Sequence, residues 1–213
     1  AHVIATHLNR YQIDCIDAVL LTHPDQDHVG GLQQLLDKHC IHTIYTSGDQ
    51  RFKIEERNLH RTLTAGDHID LDTSVVLRVL SPTPNLINHT NSNEGSLVLL
   101  IEYGRIQFLF MGDAEQEAEH QLVTNFPEVL SSEVIKVGHH GSQTSSSRSF
   151  VQHATSKDIQ YAVISTGPQT RYGLPDEHIV ERWLATGAIV HNTATSGALW
   201  LYSDGRSIKQ RHW

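Results

Sequence analysis

The sequence predicts an α/β protein, in an α+β arrangement with mixed sheets, and two features of the 213-residue chain point to it. Short runs rich in β-branched residues and leucine alternate with segments of helical spacing, and polar turn residues separate them. Three of the apolar runs lead directly into clusters of Asp or His. Internal repeats, low-complexity tracts and linkers are absent from the sequence, so we predict a single domain over residues 1–213.

The first part of the chain predicts a strand, a helix and a second strand. The run IDAVLLT (16–22) is typical of a buried strand, and GLQQLLDKHC (31–40) carries leucines at helical spacing. The run IHTIYTSG (41–48) predicts the next strand. Residues 66–82 then predict two strands with Asp and Gly turns, and residues 83–95 predict a loop rich in Asn, Pro and Thr.

Strands and helices continue to alternate in the second part of the chain. Residues 96–113 predict a hairpin that turns at Gly104, and an acidic first turn favours a helix over residues 114–126. Further on, we predict strands over 132–138 and 160–166, a helix over 176–187, and two short strands on either side of Asp204–Gly205.

Composition limits the classes of function. The formal net charge of −8 argues against a nucleic-acid partner, although two bound divalent cations would add about +4 at the site. No apolar stretch approaches the roughly 20 residues of a membrane span, and no N-terminal signal pattern is visible. The two cysteines, Cys15 and Cys40, are too few for a disulfide framework and leave the redox compartment open.

The stretch LLTHPDQDHVGGL (20–32) is the strongest chemical signal in the sequence. In an extended segment His23 and Asp25 point the same way and can converge on one metal ion. Asp27 and His28, adjacent at the following turn, can reach a second metal ion beside it. Mixed imidazole and carboxylate ligation suits Zn, Mn or Fe. The alternative is a helix-capping loop, in which Asp27 is the cap and the histidines are incidental.

Two further clusters follow apolar strands. Asp113 is costly to bury at the end of its strand unless a cation pairs with it, but it could instead cap the next helix. Of His139 and His140, one can coordinate a metal ion while the other contacts phosphate or orients a ligand. Ser142 and the polar run after it could supply donors to an anion, or could form a flexible serine-rich loop.

Each of these three clusters lies directly after the C-terminal end of a predicted strand. Such ends gather at one edge of an α/β sheet, where ligands bind. We therefore predict one site with two divalent metal ions, in which Asp113 offers one carboxylate oxygen to each. The expected chemistry is phosphoester hydrolysis, and we expect no stable small-molecule cofactor.

Taken together, THPDQDHVGG, FMGD and VGHH resemble the motifs of the metallo-β-lactamase superfamily, with Asp25 where the superfamily carries a second His. The chain resembles more closely the C-terminal domain of ComEC-type DNA internalisation proteins, and the likeness covers nearly its whole length. This resemblance implies an αββα sandwich with a dinuclear site at its edge. It also implies a metal-dependent DNase that degrades the strand not imported during natural transformation.

The resemblance assigns roles to individual residues. It implies metal binding by His23, Asp25, Asp27, His28, Asp113 and His140, with His139 as an alternative to His140 and Asp113 as the bridge. It implies catalysis by Asp27, His139 and His140, and phosphate or substrate binding by Asn93, Ser96, Ser142, Arg171 and Tyr172. Arg171 and Tyr172 could instead pack around a turn.

The middle histidine of the superfamily is replaced here by Asn93 or Ser96, and His89 in the same loop could substitute for it. An Asn carbonyl suits a harder ion, so Mn²⁺ is favoured and Zn²⁺ is possible. Leu174 stands where the family pattern has His, and His178 lies one helical turn further on. The opening strands of the family have no counterpart in this sequence, so we expect either a sandwich that lacks edge strands or a chain that is a fragment.

The resemblance also implies partners and a location. The expected partners are DNA and the transmembrane channel part of the same parent protein. The parent would lie in the inner membrane, with this domain soluble and extracytoplasmic. Two alternatives remain. The net charge favours a hydrolase of a small phosphodiester or a lactone, whereas Leu174 and the missing strands favour a catalytically degenerate domain that binds DNA or a partner.

Overall fold

The computed structural model describes residues 2–155, 159–168 and 173–211. In chain order the elements are α1 (His2–Arg10), β1 (Cys15–Leu20), α2 (Gln26–Val29), α3 (Leu32–Leu36), β2 (Cys40–Thr46), β3 (His60–Thr62), β4 (His68–Asp72), β5 (Val75–Ser81), β6 (Val98–Tyr103), β7 (Ile106–Phe110), α4 (Gln116–Asn125), β8 (Val134–Lys136), α5 (Arg148–Ala154), β9 (Tyr161–Ile164), α6 (Glu177–Leu184), β10 (Ile189–Asn192), α7 (Thr193–Ser196), β11 (Trp200–Ser203) and β12 (Ile208–Arg211).

The larger sheet has the strand order β10-β9-β8-β7-β6-β5-β4 in the described part of the chain. Strands β7 to β10 are parallel, and β4 to β7 are antiparallel to their neighbours. The β6–β7 hairpin turns at Gly104, whose φ is +59° and whose missing Cβ leaves room for the carbonyl of Gly205. This close approach joins the C-terminal hairpin β11–β12 to the sheet, since the Arg105 amide donates to the Gly205 carbonyl over 2.8 Å.

The smaller sheet has the order β1-β2-β3, with all neighbours parallel. Its first two strands begin in register at Cys15 and Cys40, which are joined by a disulfide. Helices α1 and α3 cover its outer face through a cluster that includes Leu8, Leu35 and Ile44.

The two sheets pack against each other, which makes an αββα sandwich. The cluster between them contains Leu63, Leu77, Val79, Leu97 and Leu99, with Leu20 and Tyr45 of the smaller sheet against it. On the far side of the larger sheet, helices α4, α5 and α6 bury the largest cluster. Its bulkiest members are Leu109, Met111, Leu122, Phe150, Ile164 and Trp183. The sandwich implied by the motifs is confirmed.

Some predicted elements need correction. The helix expected over 31–40 extends only from Leu32 to Leu36, and a single turn, α2, precedes it. Part of the polar run after Ser142 is helical: the Ser147 hydroxyl caps α5 by accepting from the Phe150 amide, and Phe150 is buried. Helix α1 and the short strands β3 and β10 were not predicted from the sequence. Within the described residues, no helix has the length and apolarity needed to cross a membrane.

Candidate metal centre

Three imidazoles surround one carboxylate oxygen at the edge where β1, β7 and β8 end. From Asp113 Oδ2, the Nε2 atom of His140 lies at 3.1 Å, that of His28 at 3.3 Å and that of His23 at 4.0 Å. His23 and His28 come from the loop after β1 and from helix α2, whereas His140 comes from the turn after β8, 112 residues further along the chain than His28. The predicted convergence of these chain segments therefore occurs in the fold.

Four side chains of this cluster could together hold one metal ion. The ligand atoms of Asp27, His28, Asp113 and His140 all lie within 4.8 Å of one another. Asp27 Oδ2 is 3.7 Å from His28 Nε2 and 3.6 Å from His140 Nε2. The Nε2 atoms of His28 and His140 face each other at 3.3 Å, an arrangement that suits a shared cation.

His23 approaches the same Asp113 oxygen, and together with Asp25 it could hold a second ion. His23 Nε2 lies 4.0 Å from Asp25 Oδ2, and His23 is almost fully buried. Asp25 is held from the other side, since its Oδ1 accepts a hydrogen bond of 2.6 Å from the Ser92 hydroxyl. The nitrogen and oxygen donors at this edge fit divalent cations of the Zn, Mn or Fe type.

The buried carboxylate of Asp113 is fixed on its other oxygen. Lys136 Nζ lies 3.3 Å from Asp113 Oδ1 and also donates to the Gly112 carbonyl. The Asp113 amide donates to the Ser96 hydroxyl over 3.2 Å. We predicted one Asp113 oxygen for each metal ion, and the structure differs: Oδ1 faces Lys136, and Oδ2 is the oxygen that faces the imidazoles.

The capping alternatives for the two aspartates are wrong. Asp25 occupies the N-cap position of α2, but its side chain makes no cap hydrogen bond, and Asp27 lies inside the helix. At α4, the carboxylate of Glu94 accepts from the amides of Glu117 and Ala118, at 3.1 and 2.8 Å. The start of α4 is therefore capped by a residue from the loop between β5 and β6, and Asp113 is left for the site.

The electrostatics favour an ionised carboxylate at Asp113 and a neutral imidazole at His23. Burial alone would raise the pKa of Asp113, but hydrogen bonds to His140 and His28 and the charge of Lys136 outweigh it and hold the pKa well below its usual range. Burial and the neighbouring His28 lower the pKa of His23 to about 4, which keeps the imidazole in the neutral form that binds metal ions. The hydrogen bond to Asp113 raises the pKa of His140.

The backbone after β8 adopts an unusual conformation at the histidine pair. His139, His140 and the following Gly141 have φ values of +43°, +53° and +77°. Non-glycine residues in this region cost on the order of 1–3 kcal/mol each, and such residues concentrate at functional sites. The turn sends the two imidazoles in different directions, with ring centroids 6.3 Å apart.

Because the two rings are separated, only one of these histidines faces Asp113. His140 faces Asp113, and its Nδ1 is fixed by the Ser165 carbonyl at 2.6 Å. His139 lies beside that group: its Nδ1 is 2.8 Å from Glu115 Oε1 and 3.0 Å from the Thr144 hydroxyl. His140 thus faces the cluster and could hold a metal ion together with Asp113, whereas His139 lies next to the cluster.

Glu115 belongs to the site and was missed in the sequence. Besides His139, its carboxylate accepts hydrogen bonds from the side-chain amides of Asn91 at 3.0 Å and Asn93 at 2.8 Å. Its position two residues after Asp113 was the available signal, but an acidic residue there is also typical of a helix start.

The residues predicted to bind phosphate do not share one environment: two of them contact other residues of the site, and one lines a neighbouring cavity. Ser96 is fully buried and supports the Asp113 amide, and the side chain of Asn93 is engaged by Glu115. Ser142 lines a cavity of about 390 Å³ whose walls also include His139, Gln143, Leu174 and Asp176. Arg171 and Tyr172 lie outside the described residues.

Neither of the possible substitute histidines reaches this cluster. His89 Nε2 lies 3.5 Å from Glu117 Oε2, and His178 Nδ1 lies 3.4 Å from Glu181 Oε2 on the exposed side of α6. Leu174 is half-buried in the wall of the cavity, at the position where the family pattern has His.

The chain is similar to curated competence proteins over most of its length. The chain is 31% identical over 189 residues to ComE operon protein 3 of Bacillus subtilis, which covers 84% of this chain and 24% of that protein. It is 32% identical over 196 residues to competence protein ComA of Neisseria gonorrhoeae, covering 92% of this chain and 26% of that protein. The chain thus spans about a quarter of the length of these curated relatives.

Solved structures share the fold at low sequence identity. The metallo-β-lactamase fold protein YhfI of Bacillus subtilis matches with a TM-score of 0.57 at 15% identity, over 93% of this chain and 83% of that one. The metallo hydrolase Igni18 of Ignicoccus hospitalis matches with a TM-score of 0.52 at 13% identity, over 92% and 80%. Residues 4–158 match the family described as the metallo-beta-lactamase superfamily. This chain therefore belongs to the metallo-β-lactamase superfamily.

Proposed function

We propose that this chain is a metal-dependent phosphodiesterase domain that degrades DNA during DNA uptake. The observation that carries the proposal is the grouping of His23, His28 and His140 around one oxygen of Asp113, with Asp27 beside them. Divalent cations bound there would polarise a phosphate and lower the pKa of water toward neutrality. Mn²⁺ is the favoured ion and Zn²⁺ the alternative.

The residues of the chain itself hold and orient the reacting groups. Lys136 keeps the Asp113 carboxylate in one orientation, and the Ser165 carbonyl does the same for the His140 ring. His139, held by Glu115, lines the cavity next to the cluster and can orient a substrate phosphate there. Ser142 lies in the same wall and offers a hydroxyl.

DNA as the substrate is supported by the relatives named as competence proteins. The net charge of −8 opposes a polyanion, but two divalent cations would bring about +4 to the place where the phosphate binds. The parent protein would carry a transmembrane channel part as the partner of this domain. The Cys15–Cys40 disulfide supports an extracytoplasmic location, because disulfides persist in oxidising compartments.

A small phosphodiester is the second candidate substrate. A cavity of about 390 Å³ next to His139 is large enough for a small ligand, and the net charge does not oppose it. A degenerate domain that binds DNA or a partner is the third candidate, favoured by Leu174 in the cavity wall.

The test compares metal-dependent cleavage of plasmid and single-stranded DNA with that of a chromogenic phosphodiester. We expect Mn²⁺-dependent DNA cleavage by the wild type and its loss in Asp27→Asn and Asp113→Asn. Asp70→Asn, on an exposed position of β4, is the matched control and should cleave DNA at the wild-type rate. Faster turnover of the small ester than of DNA would favour the second candidate. Less than one bound Mn²⁺ per chain would favour the degenerate domain.

A further inference from the structure

A second group of metal-capable side chains converges at the other end of the smaller sheet. Cys15 and Cys40 begin β1 and β2 in register and are joined by a disulfide. His42 Nε2 lies 3.6 Å from Cys40 Sγ, and the ligand atoms of Cys15, Cys40 and His42 all lie within 4.8 Å of one another. Asp17 completes the group, with its Oδ1 at 3.6 Å from His42 Nδ1.

This group is separate from the candidate metal centre. The cysteines lie at the first residues of β1 and β2, whereas His23 follows the last residue of β1. A strand of this length spans about 20 Å, so the two groups lie at opposite ends of it. All four side chains of the second group are exposed, which leaves them open to both ions and reductants.

The donor atoms differ in kind from those of the metal centre. Two thiolates and one imidazole form a set that binds Zn²⁺ and other thiophilic ions, whereas the metal centre offers oxygen and nitrogen. The His42 ring has the orientation that metal-binding histidines use. Its Nε2 faces the sulfurs, and its Nδ1 faces a carboxylate that can accept the remaining N–H.

We propose that Cys15, Cys40 and His42, with Asp17 behind His42, form a binding site for a thiophilic divalent cation when the disulfide is reduced. A dithiol reductant breaks the S–S bond: it supplies two electrons and two protons, two cysteine thiols form, and the reductant leaves as its own disulfide. Cation binding then displaces the two thiol protons to solvent. In the oxidised chain, which is the state expected in an oxidising compartment, both sulfurs are committed to the disulfide and the site is closed. The site opens only where a dithiol reductant acts on the chain.

The experiment uses Co²⁺ as the probe on the whole chain. Protein is reduced with dithiothreitol, the reductant is removed under anaerobic conditions, and Co²⁺ is added. Reduced wild type should show near-ultraviolet charge-transfer absorption from thiolate to cobalt, which requires sulfur ligands. Oxidised wild type and reduced Cys40→Ser should lack it. Co²⁺ at the metal centre cannot produce this band, so success or failure is independent of the proposed hydrolase activity.

Two variants test the imidazole and its carboxylate without touching the cysteines. We expect His42→Ala and Asp17→Asn each to weaken Co²⁺ binding at the charge-transfer site about tenfold. His178→Ala, on an exposed histidine of α6, is the matched control and should bind like the wild type. Asp113→Asn should keep the band. The proposal is overturned if reduced wild type lacks the band, or if His42→Ala binds Co²⁺ as tightly as His178→Ala.

Discussion

Lys136 Nζ lies 3.3 Å from Asp113 Oδ1, and this contact determines which oxygen of the carboxylate faces the imidazoles. Asp113 is almost fully buried, and Lys136 is also bonded to the Gly112 carbonyl. The ammonium group therefore both compensates the buried negative charge and fixes the side chain. Oδ2 is left as the oxygen shared by His23, His28 and His140.

Replacement of Lys136 by Met should destabilise the metal-free protein more than the metal-loaded one. Removal of one partner of a buried ion pair costs about 3–5 kcal/mol, because the other charge is left uncompensated. Mn²⁺ next to Asp113 would restore part of that compensation. Thermal unfolding with and without Mn²⁺ measures the difference, with Lys38→Met at an exposed position as the control. Equal losses in both conditions would contradict the prediction.

The two adjacent histidines should differ in metal binding. His140→Ala removes an imidazole at 3.1 Å from Asp113 Oδ2, and we expect Mn²⁺ affinity to fall about 100-fold or more. His139→Ala removes a ring that contacts Glu115 and Thr144, and it should change Mn²⁺ affinity much less while still slowing hydrolysis. Isothermal titration calorimetry and cleavage assays separate the two effects. Equal losses of affinity would show that His139 is also a ligand.

Gly112 should tolerate no side chain. Its φ is +56°, and an added Cβ would lie 3.0 Å from the Ser96 Cβ and 3.1 Å from the Thr22 Cβ. Gly112→Ala should therefore lower the free energy of unfolding by more than the roughly 1 kcal/mol that a left-handed conformation costs alone. Gly187→Ala is the control, because that glycine has a φ of +87° with open space around it. Similar losses in urea unfolding would argue against the tight contact at Gly112.

The stability of the fold should depend on pH through Glu119. Its buried carboxylate accepts amide hydrogen bonds from Ser146 and Ser147, and burial raises its pKa from 4.5 to about 7. The folded state then binds the proton more tightly than the unfolded state. This contribution to stability is present below about pH 4.5 and is lost as the pH rises through 7.

Glu119→Gln should remove that dependence. The shift corresponds to on the order of 3 kcal/mol, so the difference in unfolding free energy between wild type and variant should change by about that amount between acidic and neutral pH. Urea unfolding at several pH values measures it. All other ionisable groups are common to both proteins, so their contributions cancel in this difference. Parallel pH curves for the two proteins would contradict the prediction.

Local sequence was sufficient to predict most strands and several of the side chains that gather at the candidate metal centre. The alternation of β-branched runs with helical segments indicated the strand order along the chain, and the dense cluster from His23 to His28 indicated metal binding. The rule that strand ends gather at one sheet edge brought Asp113 and His140 to the same place. Short elements such as α5 were missed, because a serine-rich start conceals a helix whose burial depends on Phe150 and Val151.

The tertiary structure alone decided how the ligands are arranged. The left-handed turn at His139 and His140 separates two neighbours that no sequence pattern distinguishes, and the capping of α4 by Glu94 frees Asp113 from that role. The contact of Lys136 with Asp113 joins residues that are 23 positions apart in the sequence. The disulfide joins Cys15 and Cys40, which are 25 positions apart. Such contacts depend on packing between segments that are distant in the sequence. The sequence by itself therefore determined which types of side chain are available for metal binding. The tertiary structure decided which of their atoms face one another.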